Sequence, residues 1–354
     1  KVYIINIMKI SLDKLVNSLL ATLLPRQREI LEGRYGLKNG REMTLAALGV
    51  RYGITRERIR QIQNLSLEEL RSKAKESGLT DFGQLMKAHL LTLGGIRKEE
   101  NLAQDVAHLI ADKGEKNTFK NRVSFLMEAS NSAKFRSADK DFYSVWYMNT
   151  DSLSRANNFI NTLVQTLSEN KEVILAEKKF DHYFTQTAKV NSLPDLMVAN
   201  FMTISKKFIA NQYSDVGLTS WPEINPKTSR DYAYLVLQKE GKPLHFTTIA
   251  DAINRVRKSK KTNFQTVHNE LIKDERFVLV GRGTYGLASF GLMAGTAKEV
   301  MSVFLKKHGA LKARDLMQLV LEKRTFKENT LLLNLQNKKH FKRLDDGRYS
   351  LLEA

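Results

Sequence analysis

Apolar residues recur at helical spacing after Thr55. Ile59, Ile62, Leu65 or Ser66, and Leu70 share one face of a stretch running from Arg56 to about Lys73. Two shorter apolar patterns precede it. "PRQREILEGRYGL" starts on Pro25, well placed as a first helical residue, and runs to a turn at Asn39-Gly40. "LAALGVRY" follows Thr44 as a cap and ends at Gly53. Two helices joined through a short glycine-containing turn form a helix-turn-helix. Gly49 lets them approach, and Ile54, Ile59 and Ile62 can fill the wedge between them.

Further along, one frame recurs four times. Phe135, Phe208, Phe277 and Phe341 are each followed eight residues later by Tyr143, Val216, Tyr285 and Tyr349. A small residue and then an aliphatic one come next, and apolar residues stand ten and six positions upstream. The pattern predicts a helix followed by a β-hairpin, repeated as tandem small domains. The fold class expected is mainly α with small β-hairpin wings: an N-terminal helix-turn-helix followed by winged-helix-like units. The boundaries expected are 1–78, 79–150, 151–228, 229–290 and 291–354.

Charge sharpens the division. Of the net +19, residues 1–80 carry +7, 81–228 only +1, 229–290 carry +5 and 291–354 carry +6. A polyanion is the partner such ends favour. Within "TRERIRQI" the apolar positions face inward, leaving Arg56, Glu57, Arg58, Arg60 and Gln61 on the outer face near the helix start. In helix-turn-helix units that end enters the major groove. Arginine reaches guanine bidentately, glutamate accepts from cytosine and glutamine reads adenine. Thr44 and Thr55, at the two helix starts, complete the DNA-contact set.

"MTLAALGVRYGITRERIRQI", with "LPRQREILEGRYGL" before it, closely resembles region 4 of primary-type bacterial sigma factors over about residues 15–72. In that family the module reads the promoter −35 element and docks on the flap of RNA polymerase. The resemblance implies Arg56, Glu57 and Gln61 as base readers and Arg58 and Arg60 as phosphate holders. It also implies contact between core polymerase and the preceding helix, around Ile30, Leu31, Tyr35 and Leu37. Two departures stand out: Gly33 lies where the family prefers a larger apolar residue, and "QNLSLEEL" replaces the family's basic run after Ile62. No stretch resembles sigma region 2, so a complete sigma factor is not expected. Met8 is a candidate natural start.

"RDYAYLVLQKEGKPLHFTTIADAIN…FVLVGRGTYGLASF", about 229–290, resembles the HARE-type helix-turn-helix, on "GKPLHFTTIA" and its glycine-rich wing. That domain also occurs in the delta subunit of bacterial RNA polymerase and beside some restriction and chromatin proteins. In "RVRKSKK" (255–261), Lys258, Lys260 and Lys261 could lie on phosphate or simply be solvated. Gly281, Gly283 and Gly286 have G-x-G-x-x-G spacing, but no βαβ unit surrounds them, so a tight strand turn is expected instead.

Catalysis finds no support. There is no cysteine, the seven histidines are scattered singly, and no phosphate loop of Walker type occurs. Pro194-Asp195 has only Glu177-x-Lys179 as a nuclease-like partner, and in the wrong order. No cofactor and no metal are expected. The opening "KVYIINIMKI" is interrupted by charge well short of a membrane span and lacks a cleavage site. The expected protein is a cytoplasmic, nucleoid-associated binder of double-stranded promoter DNA that regulates or assists RNA polymerase. Two alternatives remain: a split sigma factor with region 2 on another chain, and a nucleoid or DNA-end module that does not touch polymerase.

Overall fold

The computed structural model describes residues 11–74, 78–110, 116–257, 261–324 and 326–352. The chain divides into two compact units, 1–208 and 209–354.

Among the described residues the first unit opens with four helices: α1 (Leu12–Ala21), α2 (Pro25–Tyr35), α3 (Leu45–Tyr52) and α4 (Arg56–Ser72). Pro25 begins α2, and Gly36 ends it in a left-handed conformation. Leu12, Leu15, Val16, Leu19 and Leu20 form the buried stripe of α1. Next come α5 (Leu79–Thr92), β1 (Ile96–Lys98), α6 (Glu99–Ile110), α7 (Lys116–Ala129), β2 (Lys134–Arg136) and β3 (Val145–Tyr147). The short β1, running directly into α6, pairs with β3, giving a sheet of order β1-β3-β2. Two or three helices and a terminal hairpin were expected; this third strand was not.

The boundary expected at 78 does not separate two cores. One apolar cluster takes in Leu12 to Leu23 of α1 and its exit, Leu31, Tyr35 and Leu37, then Leu67 and Leu70, and continues through Leu79 to Trp146. Helix α7 is the element they share. Phe125 is fully buried and meets the Tyr35 ring edge-on at 5.2 Å. Gln63 donates to the Tyr35 hydroxyl at 3.1 Å, and Arg71 donates to the carbonyls of Ala129 and Glu128 at 3.1 and 2.9 Å. Burial, with the Glu128 carboxylate nearby, pushes the Tyr35 phenol far above its ordinary range, so it stays a neutral donor.

Helices α8 (Thr150–Glu169), α9 (Lys171–Glu177), α10 (Phe180–Val190) and α11 (Asp195–Ile204) follow. Buried Asn200 of α11 donates to the carbonyls of Leu93 and Ile96 at 2.8 and 2.7 Å and accepts from Arg97 at 3.0 Å. A two-stranded sheet, β4 (Phe208–Ala210) with β5 (Val216–Leu218), comes next in the chain. This second repeat therefore keeps the helix-then-hairpin frame but carries four helices and no third strand among the described residues.

In the second unit, α12 (Ser229–Glu240), β6 (Leu244–His245), α13 (Phe246–Val256), α14 (Phe264–Lys273), β7 (Phe277–Gly281) and β8 (Thr284–Leu287) repeat the topology of residues 79–147, with sheet order β6-β8-β7. The glycine spacing at 281–286 is a strand turn, as expected. Helices α15 (Ala297–His308), α16 (Ala313–Lys323) and α17 (Glu328–Leu335) with β9 (Phe341–Arg343) and β10 (Tyr349–Leu351) repeat it again. There a single bridge, Leu311 to Tyr349, stands in for the third strand. Each of these last two domains has its own apolar cluster. The fold is mainly α with small antiparallel wings.

The hairpin register differs between the first repeat and the last two. Phe277 pairs with Leu287 and Phe341 with Leu351, ten residues on, and both phenylalanines are buried. Phe135 pairs with Trp146, eleven residues on. The two partners share one face, with ring centroids 5.0 Å apart, but Phe135 stands on the edge strand β2 and is exposed, while Trp146 on the central strand β3 is buried.

Candidate nucleic-acid interface

The helix-turn-helix is built by two threonine caps and one close approach. The Thr44 hydroxyl accepts from the Ala47 N–H at 3.1 Å, and Thr55 accepts from the Arg58 N–H at 3.1 Å. Each cap satisfies one backbone donor that the helix itself leaves open. Gly53 closes the turn at φ 65°, and the Ile54 N–H returns to the Gly49 carbonyl at 3.0 Å. A Cβ on Gly49 would lie 2.7 Å from the Ile54 carbonyl oxygen, so only glycine allows this crossing. Ile30, Leu48 and Ile59 fill the wedge, with Met43, Leu45, Tyr52, Ile54 and Ile62 around them.

With the apolar positions so committed, Arg56, Glu57, Arg58, Arg60 and Gln61 are all exposed on the first turns of α4. Their hydrogen bonding ranks them. Arg60 grips Glu57 through Nε at 2.9 Å and Nη2 at 2.6 Å, and Arg58 donates to Gln61 at 3.1 Å. The Arg60 hydrogen bond holds the Glu57 carboxyl below the usual carboxylate range, so it stays ionised through neutral pH. Arg56 has no side-chain partner among the described residues. Three arginines also stand at the positive end of a helix dipole, where a purely structural helix would favour acids. An anion would relieve their repulsion, and the open N–H groups point the same way.

Thr44 and Thr55 lie at the two helix starts on this surface, each with its hydroxyl hydrogen still available to donate. We expect Thr55→Ala to cost ~1 kcal/mol through the lost cap. Thermal unfolding checks it; a change below a few tenths would mean that the cap carries no stability.

Arg51 and Arg26 belong to the same module and were not singled out from the sequence. Both guanidiniums stand by the Tyr52 ring, at 5.7 and 5.8 Å from its centroid, and the Tyr52 hydroxyl donates to Glu29 at 3.0 Å. The arginine-tyrosine pair at the end of α3 was the available signal.

The residues expected to meet polymerase need correction. Ile30 and Leu31 are fully buried, and Tyr35 and Leu37 nearly so. They close the wedge and the α7 core, so no partner can reach them. Exposed members of α2 are Pro25, Arg26 and Glu29. The basic run missing after Ile62 has a reason of the same kind. Gln63, Ser66, Leu67 and Leu70 are buried, and α4 packs on α7 beyond its first turns. Of the basic loop, Lys258 and Lys260 lie outside the described residues, and Lys261 is exposed.

Among the described residues no cluster of three His, Asp or Glu could hold a metal, and no helix is long and apolar enough to cross a membrane.

Comparison with known proteins agrees with this geometry. The family model "Sigma-70, region 4" matches residues 19–72. The HARE-HTH model, whose description includes "ASXL, restriction endonuclease HTH domain", matches residues 227–290. The chain is 44% identical over 63 residues to the RNA polymerase principal sigma factor HrdD of Streptomyces coelicolor, covering 18% of this chain and 19% of that protein. It is 43% identical over 67 residues to the sigma factor SigA1 of Synechococcus elongatus, covering 19% and 17%. With SigA of Clostridium acetobutylicum it shares 42% over 64 residues, covering 18% and 17%. The chain thus spans less than a fifth of the length of these relatives. The first helix-turn-helix is a sigma region 4 module, and 227–290 is a HARE-type domain.

Proposed function

We propose that the protein binds promoter DNA through the start of α4 and regulates or assists RNA polymerase at initiation, without catalysing a reaction. The observation that carries the reading is the set of five exposed polar side chains at the capped N-terminal end of α4, Arg56 among them unpaired. In this reading Arg56, Glu57 and Gln61 meet base edges of a −35-like element. Arg58 and Arg60 leave their intrahelical partners for phosphates, a cheap exchange because exposed pairs of this kind contribute little. The family match and the sigma-factor relatives support DNA and polymerase as partners; the nucleoid as the place of action follows from this reading.

Polymerase contact, in this reading, uses exposed α2 residues, Arg26 and Glu29, in place of the buried four. The test is retention of bacterial core RNA polymerase on the immobilised protein, beside binding to a promoter-like duplex. We expect both, with Arg26→Glu plus Glu29→Arg releasing polymerase while duplex affinity changes little. Duplex binding without any retention of polymerase would leave a nucleoid-type DNA binder and end the polymerase half of the proposal.

A further inference from the structure

A second surface, on the HARE-type domain, has different chemistry. The Phe264 ring, on the first residue of α14, is 52% exposed, an unusual state for a phenylalanine with an apolar core close by. It is the outer end of a row of rings. Phe246 lies 6.2 Å from Phe264, and on Phe246 lie His268 at 4.5 Å and His245 at 4.4 Å, the latter two tilted by 33° and 37°. His268 in turn meets Tyr285 at 5.8 Å. The inner end is anchored in the domain core, where Tyr285 is buried, while His245 and Phe264 remain open to solvent.

The wing turn is shaped around this row. The Gly283 carbonyl accepts from the Phe246 N–H at 2.9 Å, and a Cβ at Gly283 would come within 2.7 Å of the His245 ring and 2.9 Å of the Phe246 ring. The turn therefore sits flush against the rings. Exposed cations stand beside it in the chain: Arg282 next to Gly283, Lys261 just before the Asn263 cap of α14, and Lys242 ahead of β6. None of the three has an ion pair among the described residues. Three of the domain's six acids are paired with other arginines: Arg230 holds Glu270, and Arg276 holds Asp274 and Asp231.

Rings open on one side with unpaired cations around them make a poor fit for duplex DNA, whose base faces are hidden in the stack. They match a single strand, whose bases offer their faces to aromatic side chains and whose phosphates follow a basic track. We infer that this shelf binds unpaired bases of a single nucleic-acid strand, with Phe264 as the outer stacking platform and Lys261 and Arg282 beside the phosphates. The site shares no residue with the α4 surface and does not depend on how α4 reads DNA.

The test uses the full chain and fluorescence anisotropy with labelled oligo-dT, oligo-U and an abasic strand of equal length. The abasic strand keeps every phosphate and lacks every base. Wild type should prefer at least one base-bearing strand over the abasic one, and the better of oligo-dT and oligo-U identifies the source of the strand. Phe264→Ala should lower base-bearing affinity by about tenfold, the effect of one lost stacking contact, and leave abasic binding and duplex binding unchanged. Phe264→Trp should restore the preference, which a merely structural role for the ring would not predict. Lys261→Gln with Arg282→Gln should weaken base-bearing and abasic strands alike. Equal binding of base-bearing and abasic strands by wild type, or an unchanged preference in Phe264→Ala, would overturn the inference.

Discussion

Phe125→Ala is expected to destabilise the protein by ~3–5 kcal/mol, the range for truncating a buried phenylalanine, and to loosen two predicted domains at once. The ring is fully buried, and it rests on Tyr35 of the sigma-type module from a helix of the neighbouring winged-helix domain. Hydrogen exchange measures the result segment by segment. Amides of α4 and of α5 to β3 should lose protection together, because one core serves both. Loss of protection in 79–147 with α4 unchanged would show that the module is stable without α7.

The second large effect concerns Arg56 and Glu57. Arg56→Ala should cost ~1–3 kcal/mol on the preferred duplex and much less on a scrambled one, as expected for a base reader. Arg60→Ala, removing a phosphate holder, should weaken both duplexes about equally and shallow the salt dependence by about one unit of slope. Glu57→Ala separates the two accounts further, since it removes a negative charge and also frees Arg60 from its 2.6 Å pair. A surface that merely attracts DNA would therefore bind both duplexes more tightly. A base-reading surface should lose preference for cytosine at one position, whatever happens to overall affinity. Binding to the two duplexes at fixed salt decides between them, and equal tightening on both would refute base reading by this face.

Much of this was legible along the chain because it depends on near neighbours. Helical spacing, the threonine caps and the glycine turn place α3 and α4 with little help from elsewhere, since each uses contacts within a few residues. The hairpin frame is visible for the same reason in the last two domains, where Phe277 and Phe341 keep their register. It misleads at Phe135, whose hairpin is one residue longer and whose ring, on the edge strand, stays exposed beside the buried Trp146 of the central strand. The third strands, β1 and β6, escaped notice because two or three residues show no period of their own. They become strand only by meeting β3 or β8.

The residues at 30, 31, 35 and 37 show where local reading stops. An apolar helix face is equally suited to a partner protein and to the chain's own core, and nothing in its spacing distinguishes them. Here the chain covers that face itself: α7 closes over Tyr35, Leu31 and Leu37, while Ile30 turns into the α3–α4 wedge. The same contact decides the fate of α7. In the HARE-type domain the third helix, α14, leaves Phe264, Gln265, Thr266 and Asn269 exposed, whereas α7 is buried at Phe119, Val123, Phe125, Leu126, Met127 and Ala129.

By itself, then, the sequence determined the helix-turn-helix, the exposed arginine-rich start of α4 and the repeated helix-and-wing plan, because caps, turns and periodic burial act over a few residues. The tertiary structure alone decided which apolar faces are core and which side chains of α4 are already paired. It also decided that the first winged helix braces the reader with a helix whose counterpart in the HARE-type domain stays open. Those outcomes rest on contacts between segments tens of residues apart, and a burial pattern records that a face is covered without recording by what.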